Sequence, residues 1–134
     1  PAMLYEPIIP VVEEIQNNQG TASFYKADMS KEDDVKNLVD FAMAQYGKLD
    51  GFVNNAGIAA PNKVLHELTA KEFDLVQAVN FKGVFLGMKY GIEAIMKSKS
   101  LGGFVVNIAS LASLKANSGM SLYTGIRLLP EERH

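Results

Sequence analysis

The stretch LDGFVNNAG, residues 49–57, decides how the rest of the chain is read. Leu49, Phe52 and Val53 make a short apolar run that closes on two asparagines and an Ala-Gly pair. A run of that length ending in a turn signal reads as a short buried strand, and Gly57 permits a sharp exit from it. A second run of the same kind, GGFVVNIAS, occupies residues 102–110.

Working outward, the 69–97 stretch between these runs carries a long helical pattern. Thr69 with Glu72 three residues on is a capping box, and Asn80 and Gly83 inside the pattern predict a kink or break. Upstream, SKEDDVKNLVDFAMAQYG (30–47) is the clearest helix. Ser30 is its expected cap, Glu32, Asp33 and Asp34 suit the positive end of its dipole, and Val35, Leu38, Val39 and Ala42 form an apolar stripe. TASFYKAD (21–28) reads as a strand. PVVEEIQNNQG (10–20) reads as a short helix, with Pro10 at its first position and Gly20 past its end. Beyond residue 110 a polar loop leads to a helical start near Leu122 that Pro130 stops. Strands alternating with helices predict a parallel sheet covered on both faces. Ligands bind such sheets beyond the carboxyl ends of the strands, which singles out Asp28, residues 54–57 and residues 107–110.

Composition narrows the function classes. The 134 residues are enough for one domain, with 48% apolar and 21% charged residues. A net charge of −2 with both signs interspersed gives no footprint for nucleic acid or an anionic membrane. No run approaches the roughly 18 apolar residues of a membrane span, and the first residues lack the pattern of a signal peptide. The absence of cysteine excludes disulfides, thiol nucleophiles and zinc–thiolate sites, and fits a cytoplasmic protein. His66 and His134 have no partner at ligand spacing, so no metal site is expected.

Ser110, Tyr123 and Arg127 bring a hydroxyl, a phenol and a cation within one stretch. A phenol with its ordinary pKa of about 10 needs tuning to exchange a proton near neutrality, and a nearby cation favours the phenolate. On a helix Tyr123 and Arg127 would share a face. Each residue also has a plain structural use: Tyr123 as packing, Ser110 as a turn cap, Asn80 as a partner for carbonyls opened by a kink. The NNAG turn (54–57) has two uses as well. It is a simple turn, or its small Ala56 and Gly57 let a flat or phosphorylated ligand approach the main chain.

The motifs ADMS (27–30), LDGFVNNAG, VNFKGVFLG (79–87), GGFVVNIAS and SLYTG (121–125) together resemble the short-chain dehydrogenase/reductase family in order and spacing, over roughly residues 13–125. The resemblance implies an α/β fold, a Rossmann-like doubly wound parallel sheet in three α/β/α layers, of which this chain holds one incomplete domain (1–134). It implies NAD or NADP as cofactor, a small alcohol or ketone as substrate, and a homo-oligomer, dimer or tetramer. Asp28 would lie beside the adenine, and Asn54, Ala56, Gly57 and Ile108 would line the cofactor. Asn80, Ser110 and Tyr123 match the catalytic asparagine, serine and tyrosine. Asn80 would organise a water, Ser110 would hold the substrate oxygen, and Tyr123 would exchange the proton.

The chain departs from the family pattern in three places. Arg127 stands where the family has lysine, and a planar guanidinium is not an ammonium. No Gly-x-x-x-Gly-x-Gly occurs, so the main-chain cradle for a pyrophosphate is missing. The first two strands of a 3-2-1-4-5-6 sheet are also missing, and they belong between the segments at 21–28 and 49–55. The expectation is a part of a longer protein. The alternatives are direct pairing of those two segments, or a second polypeptide in the gap. The rival reading of function is a catalytically inactive member acting through contacts along the 69–97 helix. A more distant one is a generic mononucleotide-binding module.

Overall fold

The computed structural model describes residues 11–98, 102–111 and 122–124. Two strands, β1 (Gly51–Asn54) and β2 (Phe104–Asn107), pair in parallel with Gly51 opposite Phe104 and Asn54 opposite Asn107. The helices are α1 (Val11–Asn17), α2 (Glu32–Tyr46), α3 (Ala70–Gln77) and α4 (Gly83–Lys97). α3 and α4 are joined without a break by a π-turn, Ala78–Lys82, at the position where Asn80 and Gly83 predict a kink. The 69–97 helix therefore forms as expected, capping box included: Thr69 Oγ1 accepts from the Glu72 N–H, and Glu72 returns a bond to the Thr69 N–H.

The parallel pair needs a crossover, and α3–π–α4 provides it. Along β1, Phe52 and Asn54 face α4 while Val53 points away, as the two-residue period of a strand requires. α4 meets them with Gly87 and Gly91, which with Gly83 are buried and spaced four apart on one face. A methyl group on Gly91 would lie 2.8 Å from the Phe52 ring. One on Gly87 would lie equally close to that ring and would collide with Asn54 Oδ1. α2 packs beside α4 through buried Val35 and Val39. Its start is tied across by Glu32, which accepts from Lys89 Nζ and Tyr90 Oη, each at 2.7 Å. Gly47, at φ 76°, ends α2 and donates to the Met43 carbonyl. Among the described residues the fold is thus a parallel sheet with helices on one face, and Val53, Phe104 and Val106 lie exposed on the other.

Two local expectations are corrected. Residues 21–28 form no strand. A strand is defined by its ladder, and among the described residues no strand flanks β1 on the side away from β2. The segment is held by side chains instead. Gln16 Nε2 donates to the Ala22 carbonyl, the Tyr25 and Phe41 rings sit 4.9 Å apart, and Asp34 Oδ2 accepts from the Asp28 N–H. Direct pairing of this segment with β1 is thereby excluded. Ser30 does not cap α2 either. The cap position is Lys31, without a side-chain bond, because the Ser30 hydroxyl is turned back to Asp28 Oδ1 at 2.7 Å. Pro10 lies outside the described residues. At the other end of α1 the left-handed residue is Gln19, at φ 64°, one position before Gly20.

The close fit of α4 on β1 sets a mutational expectation. Gly87→Ala overpacks the interface and lowers unfolding free energy by about 1–3 kcal/mol, read from the midpoint of denaturant unfolding.

Candidate active site

Because β1 and β2 run parallel and in register, their carboxyl ends lie side by side. Asn54 Nδ2 donates to Asn107 Oδ1 at 2.9 Å, and the Ile108 N–H donates to the Asn54 carbonyl at 2.9 Å. Asn107 Nδ2 in turn contacts Met88 Sδ on α4 at 3.4 Å. Asn54 is buried, and its Oδ1 faces Gly87 with no donor among the described residues. The two strand ends are thus bolted together at the point where the chain leaves the sheet.

Asn80 holds the next element. It is 3% exposed and sits in the π-turn. Its Oδ1 accepts from the Ile58 N–H at 2.8 Å, and its Nδ2 donates to the Ile58 carbonyl at 2.9 Å. Both ends of the amide are spent on one main-chain residue, just past the NNAG turn. The extra residue of a π-turn re-aims the side chains around it, and such turns recur at functional sites.

A cleft of about 380 Å³ opens beyond the strand ends, lined by Gly57, Ile58, Ile108, Ser110 and Tyr123 together with Asn55, Ala59 and Ala109. That volume is within the range of small-molecule sites. Among the described residues its lining holds two hydroxyls, one carboxamide and small or apolar groups, with no charged side chain. Tyr123 reaches it from a helical turn whose neighbours Leu122 and Thr124 are buried. A second hollow, of about 220 Å³, lies on the other side of Asn55, lined by Met29, Phe52, Asn54, Ala56 and Val79 among others.

Asp28 stands beside Met29, away from the cleft. Its carboxylate accepts from the Ser30 hydroxyl at 2.7 Å and the Ser30 N–H at 3.0 Å, with Lys31 Nζ at 3.5 Å. Those bonds, the hydroxyl's first, hold its pKa below the usual carboxylate value.

The sequence-derived residues therefore fall into three groups. Gly57, Ile108, Ser110 and Tyr123 share the cleft. Asn54 and Ala56 border the second hollow, with Asp28 next to it. Asn80 stands behind the cleft wall. Arg127 lies outside the described residues. Sequence reasoning missed Asn107 as the partner of Asn54. The pairing was within reach, since setting the two apolar runs in parallel at their asparagines gives the observed register.

A parallel sheet with a cleft past its strand ends is the layout of a doubly wound nucleotide-binding α/β protein. The sequence profile of the short chain dehydrogenases matches residues 4–125, and the chain belongs to that family. It is 34% identical to (+)-borneol dehydrogenase 2 of Salvia officinalis, over 85% of this chain and 44% of that protein. It is 42% identical to 2-(R)-hydroxypropyl-CoM dehydrogenase of Xanthobacter autotrophicus, over 74% of this chain and 40% of the relative. The chain thus spans less than half of each of these proteins. Among solved structures, ElxO with NADP bound superposes with a TM-score of 0.71 at 30% identity, covering 79% of this chain and 42% of ElxO.

Two outcomes test this geometry. Asn80→Ala leaves the Ile58 N–H and carbonyl without their partners, at a cost of about 1–3 kcal/mol, and speeds amide exchange at Ile58. The Asp28 turn follows pH with a defined sign. A carboxyl whose pKa is lowered by folding contributes its stabilisation above the unfolded value, and loses it as pH falls through the folded one. The Ser30 amide resonance is expected to hold constant above the ordinary carboxylate range and to move only below it.

Proposed function

We propose that this chain is part of an NAD(P)-dependent oxidoreductase that interconverts a small alcohol and its ketone. The observation that carries the reading is the cleft that gathers Ser110 and Tyr123 with Gly57 and Ile108 at the carboxyl ends of the strands. The lining suits a nicotinamide nucleotide. Gly57 keeps the wall low, Ile108 offers an apolar surface, and Asp28 stands beside the second hollow, bordered by Ala56, for the adenosine end, with Asn54 bracing the turn between. NAD or NADP, when bound, supplies or accepts the hydride. Tyr123 gives its hydroxyl proton to the substrate oxygen during reduction and recovers it during oxidation. Ser110 donates a hydrogen bond to that oxygen and fixes its position. The Asn80 amide is committed to Ile58, so its part in arranging a water falls to the main chain opened by the π-turn. Arg127 supplies positive charge toward Tyr123 from the lysine position.

The pyrophosphate needs a cradle that no glycine motif in these 134 residues offers. Saturable binding therefore belongs to the protein at its native length, working in the cytoplasm. The surface from the π-turn through α4 supports a homo-oligomer. Phe81, Phe85, Ile92 and Met96 form an exposed apolar stripe away from both β1 and α2, of the kind that marks a protein contact. The same stripe favours the second reading, a catalytically inactive member that works through such contacts.

A titration of nicotinamide fluorescence separates the two. The native-length protein is expected to bind NADH or NADPH saturably. Tyr123→Phe is expected to keep that affinity within about twofold while turnover of a ketone drops by about a hundredfold or more. Absence of saturable binding would establish the inactive reading.

A further inference from the structure

The wall of the cleft begins a loop that is anchored in an uneven way. Ile58 and Ala59 line the cleft, and residues 60–68 then run to the start of α3. Ile58 is fixed by Asn80. Beyond it the loop has little apolar burial: Val64 and Leu65 are 49% and 67% exposed. A turn at 61–63, closed by the Lys63 N–H on the Pro61 carbonyl at 2.9 Å, presents the half-buried Lys63. Its Nζ meets Glu72 Oε1 at 2.6 Å. Among the described residues this is the one side-chain bond from residues 59–68 to another element.

Glu72 divides its two oxygens. Oε2 serves the capping box, accepting from the Thr69 N–H and hydroxyl at 2.8 and 2.9 Å, and Oε1 takes Lys63. The carboxylate is thereby held in one rotamer before Lys63 arrives, so less freedom is lost when the ion pair forms. Its pKa is lowered to about 2, first by the Lys63 bond and then by Thr69, which keeps it ionised across the working range of an enzyme. Glu72 and Asn80 lie eight residues apart on one continuous helical element, roughly 12 Å along its axis. The loop is thus pinned at two points to a single rigid rod.

We propose that Lys63, through its ion pair with Glu72, is a positioning residue that holds the 58–69 loop along α3 and so fixes the cleft wall at Ile58 and Ala59. The proposal rests on the cleft being the active site, and it names a group that touches neither substrate nor cofactor. A half-exposed pair of this kind is modest, so the expected effects are modest too.

The test uses the native-length protein and four variants. Lys63→Met removes the pair and leaves the capping box intact. Glu72→Gln removes the charge while glutamine still serves a capping box. Lys63→Arg restores the pair, and the Lys63→Met/Glu72→Gln double variant reports shared contact. Amide exchange is read at Ile58, Ala59 and residues 62–68. Both single substitutions are expected to speed exchange about two- to fivefold along the loop and at Ile58, with the double variant no worse and Lys63→Arg near the parent. KM for a ketone is expected to rise about two- to fivefold, with kcat unchanged. Exchange that rises at 62–68 but stays fixed at Ile58 and Ala59 would overturn the proposal, as would a loosened wall with an unaltered KM. If the parent shows no NAD(P)-dependent turnover, the oxidoreductase reading falls. The exchange pattern at Ile58 still decides the clamp.

Discussion

The fit of α4 against β1 is the constraint on which the rest of the structure depends. Gly83, Gly87 and Gly91 give the helix a face without side chains, so it lies closer to the strand than any other residue would allow. Phe52 fills the space between Gly87 and Gly91, and Asn54 reaches the helix surface at Gly87. Gly83 extends the same face to the Met29 carbonyl, 3.0 Å from where its Cβ would be. The depth of this seat sets how far the π-turn stands from the strand end. Asn80 can therefore span to Ile58 with direct bonds at both ends of its amide. A helix lifted by the width of a methyl group would leave that distance to water.

Charge then fixes the second helix on the first. Glu32 receives Lys89 and Tyr90 from α4, and Lys82 Nζ donates to the Ser30 carbonyl at 3.3 Å. Ser30 is also the residue that closes the Asp28 turn. The turn at Asp28 and the π-turn at Asn80 are consequently coupled through one lysine and one serine, although they border different hollows. These bonds are exposed and individually weak. Their effect is geometric, since each adds a constraint to residues the glycine seat has already brought together.

What was legible in the sequence was local or periodic. The Thr69–Glu72 box, the acidic start of α2, the irregular turn near Asn80 and the two strands each depend on residues a few positions apart, and the structure has all of them, although the strands read as buried leave Val53, Phe104 and Val106 exposed. Membership in the short chain dehydrogenases was legible for the same reason, because several such patterns agree in order. Residues 21–28 were not legible, because strand propensity is realised only with a neighbour to supply the ladder. Ser30 failed as a cap because two partners competed for its side chain, the N–H donors at the start of α2 and the Asp28 carboxylate, and the carboxylate took the hydroxyl. The Asn80–Ile58 and Lys63–Glu72 contacts join segments 22 and 9 residues apart, and no period in the sequence marks either.

The division of labour around the cleft follows from side-chain chemistry. The residues that hold the backbone in place are asparagines, each able to donate and accept at once. Asn54 ties strand to strand, and Asn80 ties helix to loop. Leucine in either place would fill the volume and leave the main chain of the exit turn to find other partners. An ionised aspartate would accept but not donate, so Ile58 would keep one bond and lose the other. The residues that face the cleft are small, apolar or hydroxylated apart from Asn55, and Ile58 and Ile108 are held there through their main chain.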